Sequence, residues 1–317
     1  MASNRAYQQE KVPFYNKLDY DKSTLDNIIE KTVVTFNKDA VFVKPSCNFF
    51  IDNNHFHQND ADDRFRLKGF STPGSLMMID GKPKSRKTTF AYMMAAAALS
   101  KNGKYENIVC TMDPNNWIMI FDTEQNPSEF LTKMHGLKMW SGDENLDRVK
   151  AYNLNLFGHN PELKIQAINK YATELDWSYR RNGYIDPRDK IGLIILDHIG
   201  DLVNNENNKE EVKEFIGWAS KLATDTGATV CIIIHQNKND NQATGMLGYD
   251  SAKKVSSYIK TFKRDVDEEL EEDMSPTEVT FKENRFGAKP FKKFIFNYVD
   301  DYAVVLDHKA INYNFNK

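Results

Sequence analysis

Cysteine is scarce in this chain, and what there is does not pair. Cys47, Cys110 and Cys231 are scattered at spacings that suggest neither a disulfide framework nor a zinc site. Cys231 lies inside the run ATVCIIIH, where it reads as a buried strand thiol. No stretch approaches the roughly 20 consecutive apolar residues of a membrane span, and the longest apolar helix candidate, FAYMMAAAALS, is short and alanine-rich. The opening MASNRAYQQEKV lacks the apolar core of a signal peptide, so a cytoplasmic protein is expected. There is no excess of positive charge either. A formal net charge of −3 argues against a globally basic nucleic-acid coat protein. Much of the acid sits in one run, DVDEELEED (265–273), which reads as a solubilising hairpin tip and leaves room for a local basic patch elsewhere. Internal repeats and long low-complexity linkers are absent.

What is present is an ordinary globular composition, 40% hydrophobic and 27% charged over 317 residues, enough for one large α/β domain with an appendage. Residues 1–65 read as a polar leader with one helix, STLDNIIEKTVV, whose Leu25, Ile28, Ile29 and Val33 follow helical spacing behind a Ser23 or Thr24 cap. Such a helix could dock on a second subunit or on its own core. The leader also holds DNNHFHQNDADD, where the loose spacing of His55 and His57 fits a solvated loop better than a metal site. From residue 66 to 317 we expect one large domain. Strands SLMMID, NWIMIFD, DRVKAYNL, IGLIILD and ATVCIIIHQ alternate with helices KTTFAYMMAAAALSK, NPSEFLTKMHGL, PELKIQAINKYATELDWSYRR and KEEVKEFIGWASKLATDTG. That alternation predicts an α/β fold with a mostly parallel central sheet flanked by helices. After Lys253 the segments KVSSYIKTFKR, TEVTFKENRF, FKKFIFNYV and YAVVLD predict antiparallel β-hairpins that extend the sheet.

The chemistry begins at GKPKSRKT, Gly81 to Thr88. A phosphate-binding loop reads Gly, any four residues, Gly, Lys, then Ser or Thr, between a strand and a helix. Here the context fits and the second glycine is Arg86. The expected nucleotide contacts are Gly81, Lys82, Pro83, Lys84, Ser85, Arg86, Lys87, Thr88 and Thr89, with Lys87 on the β- and γ-phosphates and Thr88 on Mg²⁺. An exposed lysine-rich turn is the alternative. Arginine at the glycine position must adopt an ordinary backbone angle or accept strain of about 1–2 kcal/mol.

Downstream, GLIILD ends a hydrophobic strand on Asp197, a candidate second Mg²⁺ carboxylate. WIMIFDTEQ ends another on Asp122, Thr123 and Glu124, and a carboxylate here could polarise the attacking water. CIIIHQN sets His235 and Gln236 at a strand end where a polar residue can sense the γ-phosphate. His235 reads equally as a satisfied strand-end histidine.

The stretch GFSTPGSLMMIDGKPKSRKTTFA resembles the entry to the RecA-like core of the DnaB-type and RepA-type hexameric replicative helicases. FDTEQ resembles the segment with that family's catalytic glutamate, which maps to Glu124. LIILD resembles its Walker B strand, HQNK its glutamine-bearing sensor before a DNA-binding loop, and KENRFG its arginine-finger hairpin, with Arg285 as the finger. The likeness runs from about Gly69 to Val305. It also carries the wording of ATPases encoded by mobile elements and phages. It implies a RecA-like P-loop NTPase core that binds ATP and Mg²⁺ and acts as a homo-oligomer, a hexamer being expected. Arg285 would be supplied in trans, and single-stranded DNA would be a partner near Lys238, Lys253 and Lys254. The implied activity is that of a DNA helicase or translocase in replication or mobilisation; a non-unwinding, nucleotide-switched DNA-binding or recombination ATPase is the alternative.

Several features depart from the family. Arg86 replaces a glycine, and no counterpart of a helical N-terminal domain is visible. The segment NKNDNQATGMLGYD is thin in cations for a DNA loop. The family's lysine two residues before the finger is Glu283 here. Lys282 lies three before Arg285, so on a regular strand it would face the other way unless a bulge intervenes.

Overall fold

Two long apolar segments, IGLIILD and TVCIIIH, form the centre of the molecule as neighbouring strands, buried on both faces as their unbroken hydrophobicity requires. A computed structural model describes residues 47–52, 67–144, 146–181, 190–236, 245–264, 275–285, 294–299 and 301–306. All belong to one unit, Ser46–Lys317. The leader helix at Leu25–Val33, His55 and His57, Lys238 and the acidic run 265–273 lie outside the described residues.

The main sheet has nine strands in the order β13-β12-β11-β10-β3-β9-β8-β6-β7. These are β3 (Leu76–Gly81), β6 (Trp117–Asp122), β7 (Val149–Asn153), β8 (Ile191–Asp197), β9 (Thr229–His235), β10 (Ser257–Lys263), β11 (Thr277–Asn284), β12 (Phe294–Val299) and β13 (Tyr302–Val305). Strands β10, β3, β9, β8, β6 and β7 run parallel. Strands β11, β12 and β13 continue the sheet antiparallel. This is the RecA-like arrangement expected, with C-terminal antiparallel strands. Chain order passes from β3 to β6 across β9 and β8, so a crevice opens at the carboxyl ends of these strands. The register pairs Gly81 with His235 and Asp122 with Asp197, bringing four strand ends level.

Helix α1 (Lys87–Leu99) is buried along almost its whole length. An alanine-rich helix that is apolar all round needs cover on every side. It touches β3, β8 and β9 of the main sheet and also a second, antiparallel sheet. That sheet has the order β2-β1-β5-β4, from β1 (Phe49–Asp52), β2 (Leu67–Ser71), β4 (Lys104–Tyr105) and β5 (Ile108–Cys110). Phe49, Ile51 and Phe70 pack in the same core as the α1 alanines. Helices α2 (Pro127–Ser141), α3 (Pro161–Arg181) and α4 (Lys209–Thr226) complete the layers with α5 (Gly245–Lys254). Helix α2 starts on an Asn126–Glu129 capping box with Pro127 in its first turn, as NPSE implies.

One detail differs from the sequence reading, and a second answers an alternative it left open. The second half of the supposed DNA loop is helix α5, because Leu247, Gly248 and Ser251 fall on one buried face. Strand β11 carries a bulge opposite Tyr258: Glu283 pairs with Tyr258 and Phe281 with Ile259, leaving Lys282 as the extra residue. That bulge shifts the side-chain alternation between Lys282 and Arg285.

Candidate nucleotide site

The turn between β3 and α1 is packed tightly at its start. A Cβ on Gly81 would come within 2.5 Å of the Thr261 carbonyl on β10, so only glycine fits. Ser85 Oγ lies 2.9 Å from Thr261 Oγ1, pinning the loop to the same strand. Lys84 and Arg86 both adopt the left-handed region, at φ 63° and φ 60°. Arg86 therefore occupies the backbone conformation for which the glycine of the pattern is used, accepting about 1–2 kcal/mol of strain. Its guanidinium donates to Asn297 Oδ1 at 2.7 Å and lies 4.9 Å from the centre of the Tyr298 ring. Tyr298 also pairs its hydroxyl with Thr89 Oγ1 at 2.8 Å. Strand β12 thus holds both ends of the loop–helix junction.

Arg86→Gly removes the strain and the tether together while leaving the loop amides free to form the same turn. MgATP affinity measured by calorimetry is expected to stay within about tenfold of wild type, equivalent to about 1.4 kcal/mol. Abolished binding would make Arg86 a required nucleotide ligand.

Lys87 is buried, and its ammonium donates to the carbonyls of Gly81 (3.0 Å) and Lys82 (2.9 Å) while standing 3.0 Å from His235 Nδ1. Burial pulls its pKa down to about 8, against the nearby charges of Asp197 and Glu124. Thr88 Oγ1 donates to Asp197 at 2.9 Å from Oδ2. Asp197 is 4% exposed, and burial raises its pKa. A hydroxyl beside a desolvated carboxylate is a hard-oxygen pair suited to Mg²⁺, which would relieve the cost of burying that charge.

The adjacent Asp122 is fully buried, its pKa pushed up to about 6 by burial and by Asp197. Its Oδ1 accepts from the amides of Glu124 (3.1 Å) and Gln125 (2.8 Å), so this carboxylate shapes the turn that presents Glu124. Lys164, almost wholly buried on α3, braces the same turn by donating to the Thr123 carbonyl and pairing with Asp201 at 3.6 Å. Glu124 itself is 53% exposed and lies 3.3 Å from His235 Nε2. Lys87 beside Nδ1 puts the ring proton on Nε2, which then donates to Glu124. That hydrogen bond, against some desolvation, holds the Glu124 carboxyl at about 2.

Pro83, Lys84, Arg86, Lys87, Thr88, Thr89, Glu124, Asp197 and His235 line one cavity of about 510 Å³. Gly81 and Ser85 support the loop from behind. Gln236 is buried on the other face of β9, where its side chain bonds Asp80 instead of facing the cavity. Arg285 is exposed at the end of β11, donating to the Lys253 carbonyl, and is not part of this cavity's lining. Lys253 and Lys254 are exposed at the end of α5, with Lys253 over the Tyr249 ring at 3.7 Å and 3.3 Å from Asp250. Sequence reasoning missed His198 and Lys133, which also line the cavity. His198 directly follows Asp197 and could have been read as part of the strand end; Lys133, on α2, carries no sequence signal.

The loop, the hydrogen-bonded pair of part-buried Thr88 and buried Asp197, and the level strand ends together have the form of a P-loop nucleotide site. Residues 50–241, more than half of the chain, match the family described as AAA domain. The chain belongs to that family. As an AAA-domain protein with a RecA-like fold it is a P-loop NTPase, and nucleotide binding is the shared property of its site. Among solved structures, a KaiC-like protein from the hyperthermophilic archaeon Pyrococcus horikoshii is similar, with a TM-score of 0.48 and 14% identity over 75% of this chain and 91% of that one. No curated protein matches the sequence. No described helix of this AAA-domain protein is long and apolar enough to cross a membrane.

Proposed function

We propose that the chain is an ATP-hydrolysing, DNA-associated motor of replicative-helicase type that works as a homo-oligomer, a hexameric ring in the simplest form. The observation that carries the hydrolytic part is the convergence of Lys87, Thr88, Asp197 and Glu124 on one cavity. The loop amides and Lys87 hold the polyphosphate, with Lys87 exchanging its carbonyl partners for phosphate oxygens. Thr88 and Asp197 would hold Mg²⁺, and the ion would supply neutralisation of the charge that develops on the phosphates. Glu124 orients water and takes its proton. His235, bonded to both Lys87 and Glu124, links the phosphate-facing cation to the base, so displacement of Lys87 is felt at Glu124. Arg285 completes the site of a neighbouring copy. The DNA-directed part rests on the resemblance of the motif order and on the exposed Lys253 and Lys254.

A second reading, a nucleotide-switched DNA-binding or recombination ATPase that does not unwind, is favoured by the meagre cationic surface there: Lys253 is already engaged by Tyr249 and Asp250. ATPase rate with and without single-stranded DNA, measured beside solution mass, tests the proposal. The motor reading expects an oligomer and at least about tenfold stimulation, a barrier change of about 1.4 kcal/mol. An oligomer with no stimulation removes the motor.

A further inference from the structure

We propose that Glu124, His198 and His235 form a binding site for a first-row transition-metal dication of the zinc type, separate from the Mg²⁺ pair at Thr88 and Asp197. Each of the three side chains offers one ligand atom, and these atoms lie within 4.8 Å of one another. Two imidazoles and a carboxylate form a donor set suited to zinc, cobalt or nickel, whereas Mg²⁺ prefers oxygen ligands and retained water. In a tetrahedral site with metal–ligand bonds of about 2.0–2.1 Å, ligand atoms stand about 3.4 Å apart. His235 Nε2 and Glu124 Oε2 already stand 3.3 Å apart. Only His198 has to close, by at most about 1.4 Å from the 4.8 Å bound, to reach that spacing.

His198 is built for such a position. Its backbone sits in the left-handed region at φ 68°, uncommon for a non-glycine residue. Its carbonyl accepts from Thr123 Oγ1 at 2.6 Å, which fixes that geometry from the turn after β6. The ring faces that of His235 at a centroid distance of 4.4 Å. Nδ1 is buried and has no hydrogen-bond partner among the described residues, an uncommon state for a ring nitrogen that ligation through Nδ1 itself would relieve. The half-exposed Glu124 leaves the site open to an ion from solution. When the metal takes the lone pair of His235 Nε2, the ring proton moves to Nδ1. Lys87 then gives up that contact and keeps the Gly81 and Lys82 carbonyls.

The test is Co²⁺ titration of the full, nucleotide-free chain after chelator treatment, read by ligand-field absorption. One equivalent with low-symmetry, tetrahedral-type bands is expected, displaced by Zn²⁺ and not by millimolar Mg²⁺. His198→Gln and His235→Gln should each weaken Co²⁺ binding by about 10–100-fold or more, while melting like wild type in EDTA. If one variant does not fold, the other still decides. A His55→Ala/His57→Ala double variant should bind like wild type. Wild-type affinity in both glutamine variants, no cobalt band, or a band lost in the double variant overturns the site. Occupancy also removes Glu124 from water activation, so Zn²⁺ should inhibit turnover. That consequence rests on the proposed role of Glu124: a cobalt band without zinc inhibition overturns the role and leaves the site standing.

Discussion

Glu124→Gln lowers ATP turnover by about 10²–10⁴-fold, the span a positioned general base contributes, with MgATP still bound. The cavity offers three described carboxylates, and geometry separates them. Asp197 is committed to Thr88 at 2.9 Å. Glu129 folds back to the Asn126 amide at 3.4 Å as half of the α2 capping box. Glu124 alone stands half exposed at a strand end, with its backbone set by Asp122 and its carboxylate turned toward His235. Glutamine keeps the length and the oxygen that accepts from His235, so folding and nucleotide binding persist while proton acceptance is lost. With His235 holding it at about 2, Glu124 is ionised across the neutral range in the resting site. The loss in Glu124→Gln is therefore the same at pH 6 and pH 8. Single-turnover hydrolysis paired with nucleotide-binding calorimetry checks this; unchanged hydrolysis would move the base elsewhere.

How much of this was legible beforehand depends on how far each signal reaches along the chain. The runs IGLIILD and ATVCIIIHQ announce buried parallel strands because burial on both faces leaves no room for polar alternation. Asp197 and Glu124 could be placed at strand ends for the same reason. The sheet made of FFID, LKGFS, KY and IVC was not legible, since two- to five-residue strands with mixed polarity carry no period. Its existence could still have been inferred from α1, whose apolar circumference demands a second cover. The fate of Arg86 was posed by the sequence as a choice between angles and settled by contacts from Asn297 and Tyr298, some two hundred residues away. Gln236 and His235 are adjacent in sequence, and alternation on β9 sends one to Asp80 and the other to the cavity. Which takes which face depends on strand register, and that is a tertiary fact.

Arg285→Ala abolishes most of the hydrolysis that assembly brings, on the order of 10³–10⁵-fold for an arginine supplied in trans. In its own chain Arg285 is exposed and rests on the Lys253 carbonyl, the last turn of α5, where the negative end of a helix favours a cation. It is absent from the lining of its own nucleotide cavity, and the proposed ring would bring it to another copy's site. The bulge at Lys282 shifts the side-chain alternation between that residue and Arg285. Complementation separates trans catalysis from a capping role. Lys87→Ala subunits have no working site yet retain Arg285; Arg285→Ala subunits have a site and no finger. Mixed, they should regain activity wherever an Arg285→Ala site borders a Lys87→Ala neighbour, although each alone is inactive. A cap on α5 predicts the opposite pattern, a lower melting temperature in Arg285→Ala with hydrolysis retained and nothing for the mixture to restore.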